Sequence, residues 1–166
     1  MSPRFNAGEV LEMAIEIEQN GEKYYRRAAD LAQNDEVRRY LLELAAMEAE
    51  HAATFARMRD RLLAANDPAA FDPYEEGALY LDALADSHGG EGAPAALEAL
   101  TPASTLEEIL ATAVELEKKS ILFYLGVRSM VVSDEDCEHV DKIIREEKSH
   151  IVLLTAKLRE IRNPSR

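Results

Sequence analysis

The sequence predicts an all-α domain, a four-helix bundle made of two copies of one helical hairpin joined by one long crossover. Three observations carry this reading. Four chemically distinctive residues, Glu18, Tyr25, Glu48 and His51, recur as Glu117, Tyr124, Glu147 and His150, each 99 positions later. Apolar residues return at alternating three- and four-residue intervals through four long segments, the period of a helix with one buried face. Alanine, leucine and glutamate dominate and tryptophan is absent, a balance that favours helix over strand.

The first helix is expected from about Ala7 to Ala32, with Asn6 as its N-cap and Glu9 as the capping-box partner. Its inward stripe reads Leu11, Ala14, Glu18, Gly21, Tyr25, Ala28, Ala32. The second helix follows Asn34 and runs to about Ala65, with the stripe Val37, Leu41, Leu44, Glu48, His51, Phe55, Met58, Leu62. The third begins after Ser104 or Thr105, again with a glutamate three residues on (Glu107 or Glu108). Its stripe reads Leu106, Leu110, Ala113, Glu117, Ser120, Tyr124, Val127, Val131. The fourth starts after Ser133 and ends near Asn163-Pro164, with the stripe Val140, Ile143, Glu147, His150, Leu154, Leu158, Ile161. The turns Gln33-Asn34 and Val132-Ser133 align at the same offset, each followed by Asp-Glu. The expected organisation is one domain over 1–166, with hairpins at about 6–65 and 104–163. The crossover, 66–103, is rich in Pro, Gly, Ala and Asp. Tyr74 to Ala85 is expected to form a short helix docked by Leu79, Leu81 and Leu84. Ser87-His88-Gly89-Gly90, Pro94 and Pro102 read as loop. A link this long suits a chain that traverses the whole bundle.

Each hairpin sets its polar residues level. Glu18 lies 16 residues before Asn34 and Glu48 lies 14 after it, and Glu117, Ser133 and Glu147 repeat the spacing. At about 1.5 Å per residue the heights differ by roughly 3 Å, less than one turn. Glu48 and His51, three apart, share a face. Carboxylates on a core-facing stripe are costly unless paired or bound to metal, and the stripes bring no Lys or Arg to that level. Two glutamates and two Glu-x-x-His units projecting into a bundle form the ligand set of di-iron and di-manganese carboxylate proteins. The candidate ligands are therefore Glu18, Glu48, His51, Glu117, Glu147 and His150. Oxygen and nitrogen donors of this kind suit iron or manganese and accept zinc. Four carboxylates balance two divalent cations, and redox chemistry with peroxide or dioxygen is the natural reaction class. No catalytic residue beyond the metal site and no further cofactor is indicated.

Tyr25 and Tyr124, two turns along the same faces, are expected to donate hydrogen bonds to ligand carboxylates. Glu16 and Glu115 also repeat but fall on the opposite face, and Glu50 and Glu146 flank the motifs as helix-surface charge. His139 lies three turns before His150, too far to join the cluster, and His88 reads as a loop histidine. Gly21 and Gly126 serve either close helix approach or space beside the cluster. A metal-free interaction bundle is the bland alternative, at the cost of burying four carboxyl groups.

The net charge of −13 argues against nucleic acid or an anionic membrane as a partner. The single cysteine, Cys137, allows no disulfide within the chain and no multi-thiolate metal centre, and reads as a small half-buried residue. The amino terminus lacks the apolar run of a secretory signal, and no apolar run is long enough to span a bilayer. A cytoplasmic setting is expected.

The stretches Ala14-Ile-Glu-Ile-Glu18 through Tyr25, Met47-Glu48-Ala-Glu-His51, Ala113-Val-Glu-Leu-Glu117 through Tyr124, and Ile144-Arg-Glu-Glu147-Lys-Ser-His150 resemble the rubrerythrin branch of the ferritin-like superfamily. The resemblance covers both hairpins. It implies a ferritin-like fold, a non-haem site of two iron ions, frequent homodimerisation, and an oxidoreductase of peroxidase or ferroxidase type. Iron binding and handling without true turnover is the alternative. The chain departs from the family pattern at two points. A cysteine-ligated rubredoxin-like domain cannot be built from one cysteine, so an external electron-donor protein is implied. Many rubrerythrins also place a further glutamate one turn after the third-helix ligand, where this chain has Ser120, with Gly21 as its first-helix counterpart.

Overall fold

The computed structural model describes residues 7–65, 76–88 and 93–164. Its helices are α1 (Ala7–Leu31), α2 (Asp35–Ala65), α3 (Glu76–His88), α4 (Ala93–Ala99), α5 (Leu106–Met130) and α6 (Asp134–Arg162). There is no β-strand among the described residues, and the all-α bundle is as the periodicity requires. The four long helices fall within a residue or so of the expected bounds because their ends carry capping chemistry. Asn34 Oδ1 accepts from the backbone N–H groups of Glu36 (2.8 Å) and Val37 (3.3 Å). Thr105, rather than Ser104, caps α5. Its hydroxyl oxygen accepts from Glu108 N at 3.2 Å, and Glu108 Oε2 accepts from Thr105 N at 2.8 Å, completing a capping box. Ser133 caps α6 through Asp136 N. The proposed cap at Asn6 lies outside the described residues.

α1 packs along α2 and α5 along α6, and the hairpins meet through α1 against α5 and α2 against α6. The core divides into two apolar clusters. One joins the start of α1 (Val10, Leu11, Ala14) to the end of α2 (Phe55, Met58), the end of α5 (Tyr124, Val127, Met130) and the start of α6 (Val140, Ile143). The other joins the end of α1 (Tyr24, Tyr25, Ala28) to Leu41 and Leu44, Leu110 and Ala113, and Leu154 and Leu158. α2 thus finishes at the end of the bundle opposite the one where α5 begins, and the crossover must travel the full length. α1 and α5 consequently run antiparallel, which relates the two hairpins by an approximate two-fold axis across the bundle.

The crossover departs from expectation in its details. α3 runs on through Ser87 and His88, which were expected in a loop. α4 occupies Pro94 and its alanine-rich neighbours, also expected as loop. Proline in a first turn loses no hydrogen bond and its φ is pre-set for helix, so it opens α4 rather than preventing it. α3 lies on α5 and α4 on α1. Leu81 is buried and Leu84 packs against the first cluster, but Leu79 is half exposed and Tyr80 takes its docking role, donating its hydroxyl to Leu122 O at 2.9 Å. Glycine lets α3 approach so closely. A Cβ on Gly126 would lie 2.7 Å from Leu81 Cδ2, and one on Gly77 would lie 2.1 Å from Met130 Cγ. Ile161, expected on the inward stripe of α6, is exposed in its last turn.

Candidate metal centre

Between the two apolar clusters each long helix turns polar on its inward face. Glu18, Glu48, His51, Glu117, Glu147 and His150 are all buried, at most 5% exposed, and they are the buried charged side chains among the described residues. No lysine or arginine accompanies them. Their donor atoms form two overlapping groups, Glu18, Glu48, His51 and Glu147, and Glu48, Glu117, Glu147 and His150, each with one ligand atom per residue within 4.8 Å of the others. Glu48 and Glu147 belong to both groups, Glu18 with His51 to one only, and Glu117 with His150 to the other. Such a division, with Glu48 and Glu147 within reach of both groups, would suit a pair of metal ions.

The geometry of the free polar atoms fits such a pair. Glu18 Oε2, Glu48 Oε1, His51 Nδ1, both oxygens of Glu147 and His150 Nδ1 are buried without a hydrogen-bond partner. They nonetheless crowd together. His51 Nδ1 lies 2.8 Å from Glu147 Oε1 and 3.4 Å from Glu18 Oε2. His150 Nδ1 lies 3.4 Å from Glu147 Oε2, 3.5 Å from Glu117 Oε1 and 3.9 Å from Glu48 Oε1. The contacts lack hydrogen-bond alignment, as expected of lone pairs aimed at a common point rather than at one another. Orphaned buried polar atoms are rare in folded proteins and call for an ion or water.

The hydroxyls of Tyr25 and Tyr124 both end on carboxylates of the cluster, with a feature that spacing alone did not reveal. Tyr25 donates to Glu117 and Tyr124 donates to Glu18. Each hydroxyl therefore crosses to the other hairpin and holds a carboxylate present in only one donor group. The antiparallel setting of α1 and α5 produces this exchange. Gly21 leaves space at the cluster, since a Cβ there would sit 3.1 Å from Glu48 Oε2. The two helix glycines thus divide the roles that sequence left open, Gly126 serving helix contact and Gly21 serving a carboxylate.

Burial and crowding govern the protonation of the cluster. Desolvation pushes the carboxyls of Glu18 and Glu117 up to about 8, and Glu48 rises well above its ordinary range for the same reason, aided by the charge of Glu18. Glu147 is also penalised by burial, but the close approach of the Glu117 carboxyl and of the His150 and His51 imidazoles overcomes it and holds this carboxyl below its usual value. Burial would lower both imidazoles. Contact with Glu147 raises His51 to about 9, and contact with Glu117 and Glu147 raises His150 to about 10. Both tyrosine hydroxyls are driven up by burial and by the neighbouring carboxylates.

Two participants were missed. Glu146, read as surface charge, is only half exposed, and its Oε2 lies 3.0 Å from His51 Nε2, on the far side of the ring from the carboxylates. At the corresponding place in the other half, Met47 Sδ lies 3.4 Å from His150 Nε2. Both residues directly precede a Glu-x-x-His motif, so position was the available signal, although the partner histidine belongs to the other hairpin. Glu16, Glu50 and Glu115 are exposed as expected, and Cys137 is half-buried with its thiol 3.6 Å from Val131 O.

No curated protein matches the chain significantly. A crystal structure from Thermotoga maritima, provisionally described as a ferritin-like diiron-carboxylate protein, superposes with a TM-score of 0.72 at 27% identity, covering 96% of this chain and 99% of that one. The family model for rubrerythrin matches residues 9–158. With nearly the whole bundle matched and a buried carboxylate–histidine cluster suited to two metal ions at its centre, the chain belongs to the rubrerythrin family.

Proposed function

We propose that the protein is a di-iron oxidoreductase that reduces hydrogen peroxide or dioxygen, with Glu18, Glu48, His51, Glu117, Glu147 and His150 as its metal ligands. The observation that carries this is the convergence of unpartnered oxygen and nitrogen atoms into two groups sharing Glu48 and Glu147. Held by these residues, a pair of ferrous ions would supply the two electrons that the conversion of peroxide and two protons to two waters requires. Tyr25 and Tyr124 hold the terminal carboxylates in place from across the bundle. The apolar clusters on either side exclude water along the bundle axis. The same dryness makes an uncompensated carboxylate costly and a bound cation favourable.

The reading extends to an external electron-donor protein, a homodimer and a cytoplasmic setting. No helix among the described residues is long and apolar enough to cross a membrane. Stopped-flow oxidation of anaerobically loaded ferrous protein by hydrogen peroxide tests the activity. The wild type should react faster than a Glu48→Ala/Glu147→Ala variant, and equal rates would reject catalysis. Iron counting after aerobic loading, with size-exclusion mass, separates this from iron storage. A redox enzyme stops near two irons per chain, whereas a mineralising assembly goes on accumulating.

A further inference from the structure

The two halves of the cluster match in their ligands but differ in what stands behind the imidazoles. His51 Nε2–H donates to Glu146 at 3.0 Å, whereas His150 Nε2 meets the thioether of Met47 at 3.4 Å. Glu146 and Met47 occupy equivalent places at the 99-residue offset, so the approximate two-fold axis makes the comparison direct. A carboxylate is a strong charge-assisted acceptor, and thioether sulfur is a weak one. A histidine whose outer N–H is held by a carboxylate is fixed in tautomer and ring orientation and is a stronger donor through its other nitrogen. The donor atoms are also drawn closer on that side. His51 Nδ1 has oxygens at 2.8 and 3.4 Å, whereas those around His150 Nδ1 begin at 3.4 Å. Lys142 approaches the other oxygen of Glu146 only to 3.6 Å and is itself well exposed, so it tempers the extra charge without removing it.

We propose that the two metal positions are inequivalent, that the first divalent ion enters the half capped by His51, and that Glu146 is the positioning residue that sets this order. The proposal rests on the metal-centre reading above. Losing an outer hydrogen-bond partner of this kind costs about 10- to 100-fold in metal affinity, and the two sites should differ by a similar factor.

The test is anaerobic titration of the full-length apoprotein with cobalt(II), followed by visible absorption and by proton NMR of the hyperfine-shifted exchangeable imidazole N–H. The wild type should bind two ions in separable steps about 10- to 100-fold apart, with one shifted N–H appearing in the first. In E146Q, a near-isosteric change on a half-exposed side chain, the first step should weaken towards the second and that N–H signal should move. M47E should tighten the second step instead. Circular dichroism at each stage establishes that the variants are folded, and a general structural defect would weaken both steps together. Two equal or concerted steps in the wild type, or a step separation and N–H signal unchanged in E146Q, overturn the proposal. Failure of the wild type to bind two cobalt ions would overturn the metal-centre reading itself.

Discussion

Loading the metal-free protein at pH 7 should acidify the solution by an amount that reads out the state of the cluster. At that pH the carboxyls of Glu18 and Glu117 retain protons, because burial has lifted both to about 8, and Glu48 does so too, since burial and the charge of Glu18 raise it well above its ordinary range. Both imidazoles are protonated, with values of about 9 and 10, and only Glu147 is ionised. The proposed ligand set requires four carboxylates and two neutral imidazoles, so metal binding through it must expel these protons. Three carboxyls and two imidazoles set the ceiling at about five. Glu117 and His150 face one another at 3.5 Å and both lean on Glu147, so protonating one weakens the hold of the other. The expected release is therefore about four to five protons per pair of ions. Ordinary, solvent-exposed groups would give less than about one, since carboxylates would already be ionised and histidines mostly neutral.

The assay is calorimetric titration with manganese(II) under argon in buffers of different ionisation enthalpy, whose slope gives the proton count directly. Repeating it at pH 9 should give a smaller count, because Glu18 and Glu117 have by then lost their protons. Release of fewer than two protons at pH 7 would refute the reasoning. It would mean that the six groups are not buried together in the metal-free chain.

Stability should respond to pH in opposite senses with and without metal. In the metal-free protein, Glu18 and Glu117 stay protonated to about 8 while the unfolded chain ionises from 4.5, and the imidazole contribution, whole below 6.5, is lost as pH rises through 9 to 10; both slopes are downward, so Tm by calorimetry should fall between pH 5 and 9, whereas that of loaded protein should rise over the neutral part of that range. Tyr25→Phe and Tyr124→Phe should each cost roughly 1–3 kcal/mol by chemical denaturation, since each leaves a buried carboxyl of the opposite hairpin without its donor. Gly21→Ala, with its Cβ 3.1 Å from Glu48 Oε2, should weaken both metal steps because Glu48 belongs to both donor groups. Gly126→Ala should instead cost about 1–3 kcal/mol of stability by forcing α3 off α5, with metal affinity unchanged. Thr105→Ala should cost about 1 kcal/mol through loss of the α5 capping box.

The bundle was legible because its information is local and periodic. Glu18, Glu48, Glu117 and Glu147 interrupt apolar stripes at one height, and helix geometry alone converts that spacing into a layer. Helix ends were legible for the same reason, since Asn34, Thr105 and Ser133 act on backbone groups two or three residues away. The crossover was less so. Pro94 is a breaker within a helix and an opener at its start, and only the position of the preceding turn decides between the two. Leu79 and Tyr80 exchanged roles because the face that α3 presents is set by contact with Gly126 on α5, more than forty residues along the chain.

What sequence could not disclose is how the halves interlock. Spacing put Tyr25 above Glu18 and Tyr124 above Glu117, as neighbours on their own helices. Antiparallel packing of α1 on α5 instead sends each hydroxyl to the carboxylate of the opposite hairpin. Glu146 follows the same logic, lying outside the stripe of its own helix yet facing a histidine of the other hairpin. Neither hairpin alone can therefore complete either donor group, because the groups containing His51 and His150 both require Glu48 from the first hairpin and Glu147 from the second. On the proposed ligand set, metal binding should therefore stabilise the packing of the hairpins against each other rather than either hairpin by itself. Cutting the crossover should expose this. A nicked protein should hold its halves together far more tightly with metal than without, and separation of the halves at the same denaturant concentration in both states would contradict a centre shared across the interface.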